Sequence, residues 1–593
     1  MKINLNKIKK SIIAGLILPA SIATAQTVNY FGDLNPTGAT DPLSVISLNG
    51  GFIFRGTFPA EGRELCFSDG TFSGTSVLAD LNTGPGDSVP GSFAKFGNRY
   101  LFSANGVAGR EPYITDGTAT GTTILANLDG GSGNSDPLFL FELDGYYYFL
   151  ATSSPGVRRL YRTGGALATT TLVGGLTPAN NAVGALSEHI STIINGVGYF
   201  VANTTDEGTE LFRSAGTVFD TYEVSTLDGG IGSSLCSYRI ISYGNNIFFC
   251  GIGPSGSELY NYDTTLGTTT LVADINLAGS SSATLIDKIG SKLYFIATPD
   301  GGSLYLYVLD VLSNTVTQLT GPGTPAGNVA NLISYAKFND KLYFSASSSF
   351  GDELFVSDGT QSGTGLVKDI NPTGSSSPTS LMAYGDALYF SAVVPEVGQE
   401  LFKTNGTADG TQLVADIKPG AGSSEPINVG VALDKLWISA ASTASDYEMF
   451  SISDLCSYDT AKTAPGQCGC GVAERDLNGD GVVGCGGVRL QVSQTKASLS
   501  ALIYPTSGGA TPAFRAERTN VSQKVSELVR YLKANRSSIS MKRGKKLTNN
   551  IKRIESAQKT FKKANKKSSY KSAKKKLNSA LNRLISEISA STI

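Results

Sequence analysis

The chain is 593 residues long, with 69 Gly, 27 Phe and 25 Tyr but only 16% charged residues. This composition excludes a single small domain, a disordered polymer and a collagen-like fibre, and the length suits two or three domains. A net charge of −1 hides a division, because Arg515 to Ile593 holds 22 Lys and Arg against four Glu, which leaves the rest acidic.

Residues 1–25 begin with Lys2, Lys7, Lys9 and Lys10, pass through an apolar run from Ile12 to Leu18, and end on Ala23-Thr24-Ala25. That order is expected of a secretory signal cut before Gln26. No later stretch is apolar for long enough to cross a bilayer. The expected location is therefore secreted or extracellular, with attachment to the cell surface considered below.

Residues 26–455 repeat one unit with a period near 48, clearest between Glu353 and Ala392. Short apolar runs separated by Asp-Gly, Pro-Thr-Gly and Gly-Asp clusters read as four strands joined by tight turns. An aromatic landmark gives nine copies, at Phe54, Phe102, Phe149, Phe200, Phe249, Phe295, Phe344, Phe390 and Ile438. A Glu-Leu landmark also gives nine, at Glu64, Glu111, Arg159, Glu210, Glu258, Ser303, Glu353, Glu400 and Glu448, with Arg159 and Ser303 marking degenerate copies. Repeats of four strands at this period predict an all-β fold, a β-propeller of about nine blades. The last copy stops at Ser453 without its fourth strand, and the missing piece stands at Val28 to Pro36. An N-terminal strand completing the C-terminal blade closes the ring and removes exposed edges. Nine blades exceed the usual four to eight, so a degenerate copy squeezed into an irregular blade is the alternative.

The copies Glu64-Leu65-Cys66-Phe67-Ser68-Asp69-Gly70-Thr71, Glu353 to Thr360 and Glu400 to Thr407 resemble the bacterial secreted repeat named for its Glu-Leu-Trp-x-x-Asp-Gly-Thr core. Phe, Tyr or Cys replaces the Trp. The resemblance implies extracellular propeller-like modules and supplies no catalytic residue.

Asp33, Asp80, Asp274, Asp369 and Asp416 recur at one point of the period. They form either a ring of carboxylates for a cation or basic ligand, or a set of turn caps that bond their own backbone. Asp69, Asp116 and Asp358 in the Asp-Gly-Thr motif are expected in hairpin turns. A single histidine, His189, makes His-rich zinc sites and Ser-His-Asp catalysis implausible. No catalytic residue is assigned, although paired carboxylates for glycoside cleavage stay formally open. Cys66, Cys236 and Cys250 read as core cysteines, of which Cys236 and Cys250 lie on neighbouring strands and can bridge.

Residues 456–487 crowd Cys456, Cys468, Cys470 and Cys485 around Asp476-Leu477-Asn478-Gly479-Asp480-Gly481. This segment is similar to thrombospondin type 3 repeats, which implies a disulfide-bearing, calcium-binding linker. Asp476, Asn478, Asp480 and Val482 at alternate positions are the expected Ca2+ ligands, since a hard cation needs oxygen donors on a sharply turning loop. Gly484 and Gly487 stand where further acids belong, so the set is incomplete.

After a linker at 488–514, residues 515–593 predict a basic helical domain. Apolar stripes run through Val521 to Leu532, Leu547 to Phe561 and Tyr570 to Ile588. Lys545, Lys546, Lys562, Lys563, Lys566, Lys567, Lys574, Lys575 and Lys576 are the expected polyanion-binding residues. Taken together, these features favour a secreted or cell-surface binding and adhesion protein. An extracellular protein or glycan is the propeller's expected ligand, and an anionic cell-envelope polymer the tail's. A polysaccharide-acting enzyme and a structural matrix protein are the alternatives.

Overall fold

The computed structural model describes residues 28–452 except 154–156, 175–189, 205–207, 226, 228–231, 300–301, 325, 328–329 and 443–445. Beyond them it describes 474–476, 483–485, 525, 547–563, 572–577 and 579–581. Two compact units divide the chain, Val28–Ser453 and the remainder.

In the first unit each repeat forms a four-stranded antiparallel sheet with its strands in chain order. Blades 1 to 8 span 43–79, 91–124, 138–172, 191–223, 235–273, 284–318, 330–368 and 379–415. Blade 9 takes three strands from 427–452 and its fourth, Val28–Gly32, from the other end of the chain. The fold is thus a nine-bladed propeller, and both degenerate repeats build complete blades rather than squeezed ones. First strands of neighbouring blades touch, as 43–48 does 427–432, so these strands line the channel. Arg239, on the first strand of blade 5, reaches past blade 6 to donate a hydrogen bond to the Tyr335 hydroxyl on blade 7. Asp287 on blade 6 pairs with Lys337 on blade 7 at 2.9 Å.

The strand period of two sends the aromatic landmark of every second strand into the space between blades. All nine landmark residues are at most 1% exposed. In seven blades the Phe stacks on the ring directly opposite on the third strand, with centroids 5.5 to 6.4 Å apart, from Phe102–Tyr113 to Phe390–Phe402. Burying such a ring is worth about 1.5–3 kcal/mol, so this layer carries much of the packing. At the closing seam Trp437 replaces the pattern. Its indole meets Phe31 of the N-terminal strand at 5.1 Å and Phe52 of blade 1 at 4.7 Å. One side chain thereby joins the last blade, the first blade and the closing strand.

Strand pairing corrects one landmark. Ala297 lies opposite Tyr305, as Gly56 lies opposite Glu64, so Tyr305 and not Ser303 occupies the Glu position of blade 6. The loop before this strand displaces the sequence alignment by two residues. Cys236 and Cys250 form a disulfide that ties the first strand of blade 5 to its second.

In the second unit, Glu474–Asp476 and Val483–Cys485 pair as a short antiparallel hairpin. Helix α1, Leu547–Lys563, buries Ile551, Ile554, Ala557 and Phe561 and exposes Lys552, Arg553 and Lys559. A further helical stretch at 572–577 and 579–581 buries Ala573, Leu577 and Leu581, so the second apolar stripe and the described part of the third are helical. Val525 of the remaining stripe is buried, and the rest of that stripe lies outside the described residues.

Candidate functional site

The Glu of the Glu-Leu motif is a landmark in the sequence and a fastener in the structure. Glu64, Glu111, Glu210, Glu258, Glu353 and Glu400 are fully buried and Glu448 is nearly so. A buried carboxylate is tolerable only when hydrogen-bonded, and here its partners lie in the loop that leads to the next blade. Glu353 accepts from Ile370 N at 3.0 Å, Ser376 N at 3.0 Å and Ser376 Oγ at 2.6 Å. Glu258 holds Ile275 and Ser281 in the same way, and Glu400 holds Ile417 and Ser424. Burial pushes the carboxyls of Glu64, Glu111, Glu353 and Glu400 upward against these bonds, and that of Glu448 up to about 7.

The Asp-Gly-Thr motif forms the expected turn. Asp358 Oδ1 accepts from Thr360 N at 2.9 Å and Thr360 Oγ1 at 2.7 Å, and these bonds lower its carboxyl. Gly359 has φ +81°, which glycine adopts without strain. A Cβ on Gly363 would lie 2.1 Å from Asp358 Oδ1, so the repeat keeps glycine there too.

The recurring aspartates serve the turn reading where bonds are present: Asp80 accepts from Gly84 N at 3.0 Å and Asp416 from Gly420 N at 3.1 Å. Asp33, Asp80, Asp274, Asp369 and Asp416 each follow the outermost strand of a different blade, so the fold spreads them round the rim. Among the described residues, no group of three or more His, Cys, Asp or Glu is arranged to hold a metal.

Asn478, Asp480, Val482, Cys456, Cys468, Cys470 and His189 lie outside the described residues, and only the backbone of Asp476 and Cys485 is described. Lys545, Lys546, Lys566 and Lys567 also lie outside them. Lys562 and Lys563 end α1, while Lys575 and Lys576 are exposed on the last helical stretch and Lys574 is half-buried there.

What the landmarks leave unexplained is a belt of guanidinium groups where the third strands of blades 1 to 3 begin. Arg63 pairs with Asp41 at 3.2 Å. Arg55, on the second strand of blade 1, lies beside Arg63, Arg110 and Asp41; burial first, then the two like charges, depresses its affinity for its proton. Arg110 donates to Ser103 Oγ at 2.6 Å and to Val89 O at 3.0 Å, and its Nε is 3.9 Å from Asp136. Arg158 donates to Asp136 O at 3.1 Å. The belt thus runs Asp41, Arg63, Arg55, Arg110, Asp136, Arg158. The Nε groups of Arg55 and Arg158, like those of Arg213 and Arg239 outside the belt, are buried without a partner among the described residues. Its outer members face solvent: the side chains of Arg63, Asp41 and Asp136 are 33%, 37% and 56% exposed. Sequence reading passes over these residues, although a basic residue before the Glu-Leu position in the first three repeats is a visible signal.

No family model matches the chain, and comparison with curated proteins finds no relative. Among solved structures, a mutant puromycin hydrolase complexed with PGG is 14% identical, with a TM-score of 0.31 over 56% of this chain and 55% of that one. TolB from Acinetobacter baumannii is 12% identical, with a TM-score of 0.27 over 53% of this chain and 76% of that one. The β-propeller domain of the Trilobed protease from Pyrococcus furiosus is 12% identical, with a TM-score of 0.30 over 55% and 95%. The chain spans about half the length of the hydrolase, and no residue role is carried over from any of them.

Proposed function

We propose that the protein is a secreted or cell-surface binding protein, with the propeller as recognition module and the basic tail as its attachment to an anionic envelope polymer. The observation that carries the binding reading is how the repeated carboxylates are used. The glutamates fasten interblade loops, aspartates cap turns, and Asp287 at the channel is paired with Lys337. Acid–base chemistry needs a carboxyl within reach of a substrate proton, and these groups are committed to the scaffold. In the guanidinium belt, Arg55 and Arg158 hold donors with no acceptor among the described residues. For the tail, exposed Lys552, Arg553, Lys559, Lys575 and Lys576 stand opposite buried apolar positions. Each lysine near an anionic surface is worth about 1 kcal/mol, so five or six together give firm but salt-sensitive attachment. The test compares the full chain with one ending at Pro512 in cell and medium fractions. The full chain is expected on cells, released by about 0.5–1 M salt, where the screening length falls to a few ångströms. Equal retention of the shortened chain rejects the tail's role.

A further inference from the structure

The nine blades are nearly equivalent, so each position in one blade has eight internal controls. At the position of Arg55 the other blades carry Ser103, Leu150, Val201, Cys250, Ile296, Ser345, Ser391 and Ser439. The propeller is therefore built eight times with a small or apolar residue there. At the position of Arg63, only the adjoining blades 2 and 3 are also basic, with Arg110 and Arg158, whereas blades 4, 5, 7, 8 and 9 carry Thr209, Ser257, Asp352, Gln399 and Tyr447. The departure is confined to one contiguous arc. It also works against stability, because Arg55 lies beside two like charges while burying an Nε–H without a partner among the described residues, the second of these being a cost that Arg213 and Arg239 outside the arc also carry. A costly cluster of like charge that the fold does not need is expected where a ligand's negative charge offsets it.

We propose that this arc, centred on Arg55 between Arg63 and Arg110, binds the carboxylate of an acidic saccharide. The inference rests on the reading of the propeller as a recognition module and is independent of the tail. Guanidinium forks match the geometry of a carboxylate and form charge-assisted bonds to it. Asp41, at the end of the belt beside Arg63, and Asp136, between Arg110 and Arg158, are partly exposed acceptors for hydroxyl hydrogens. A uronic acid flanked by hydroxyl-bearing sugars satisfies both signs at once. Acidic peptides bring carboxylates without the hydroxyl donors that the two aspartates accept from.

The test is calorimetric titration of the full chain with tetragalacturonate in about 0.15 M salt, with the methyl-esterified tetramer and hexaglutamate as alternative ligands. Binding of tetragalacturonate alone is expected, weakened about tenfold or more by Arg55→Leu. Arg213→Leu, outside the belt, should leave affinity unchanged. Arg55→Leu is also expected to keep or raise the melting temperature, which separates a ligand-binding arginine from a structural one. Absence of binding, equal affinity for hexaglutamate or the ester, or a lowered melting temperature with unchanged affinity would overturn the proposal. The chain ending at Pro512 should bind equally; if its affinity disappears, the tail and not the arc holds the saccharide, while the attachment reading survives.

Discussion

Thr40 Oγ1 donates a 2.7 Å hydrogen bond to Glu448 Oε2 across 408 positions of sequence. It is the same fastener that Ser376 makes with Glu353, transferred to the one place where the loop and its glutamate come from opposite ends of the chain.

That position makes the seam sensitive to pH. Burial raises the Glu448 carboxyl to about 7 from an ordinary value of 4.5, and the nearby Asp33 charge pushes the same way. The folded state therefore holds a proton that the unfolded state releases between these values. Its contribution is fully present below pH 4.5 and is lost as pH rises through about 7. Melting temperature should fall from about pH 5 to about pH 8, and Glu448→Gln should flatten part of that slope. An identical slope in the variant rules Glu448 out as the source.

Ring closure can be tested by deletion of residues 26–35. The loss includes the ladder between Val28–Gly32 and Tyr447–Ile452, Tyr30 packed at 5.3 Å on Phe450, and the Phe31 contact with Trp437. With several ladder bonds at about 1 kcal/mol each and the half-buried Phe31 adding about 1–2 kcal/mol, while Tyr30 stays 52% exposed and adds less, the sum is a large part of a domain's stability. An unchanged melting curve would show that the seam contributes nothing.

Within the ring, Glu353→Ala leaves Ile370 N without its acceptor, and Ser376 N and Oγ with only Asp352 O, at 3.1 and 3.4 Å. Each buried donor so abandoned costs about 1–3 kcal/mol. The expected result is a lower melting temperature and faster proteolysis within 370–376, and an undisturbed loop would mean that the glutamate does not fasten it.

The disulfide offers a fourth measurement. Cys236 and Cys250 are separated by 14 residues, and a closed loop of that size is worth about 3 kcal/mol. Replacing both with Ser should lower stability, and added reductant should then have no further effect at this site. Cys66 is buried and its thiol is pushed well above its ordinary value, so thiol reagents should reach it only after unfolding.

Much of this architecture is legible in the chain. The aromatic landmarks fall on one structural position because strand alternation forces it, and the orphan strand at Val28 is visible because the last copy lacks it. The staples are harder to see. Glu64 and Ser88 are 24 residues apart, and only the fold brings a third strand under the loop that leads to the next blade. The belt is harder still, since Arg55, Arg110 and Arg158 belong to three repeats and become neighbours only when the blades stack. Ser303 is misplaced because spacing from one landmark cannot register a loop of altered length.

The order in which the chain is made has a consequence for the seam. Val28–Gly32 is synthesised before any blade, yet its pairing partner, Tyr447–Ile452, is the last propeller strand to appear. At about 5–20 residues per second, the 408 positions from Thr40 to Glu448 take roughly 20–80 s to add. Through that interval the nascent chain carries an unpaired strand at one end and growing sheets behind it. Completion of the ring is thus a single late event, timed by the arrival of one strand and not by the folding of the eight blades before it.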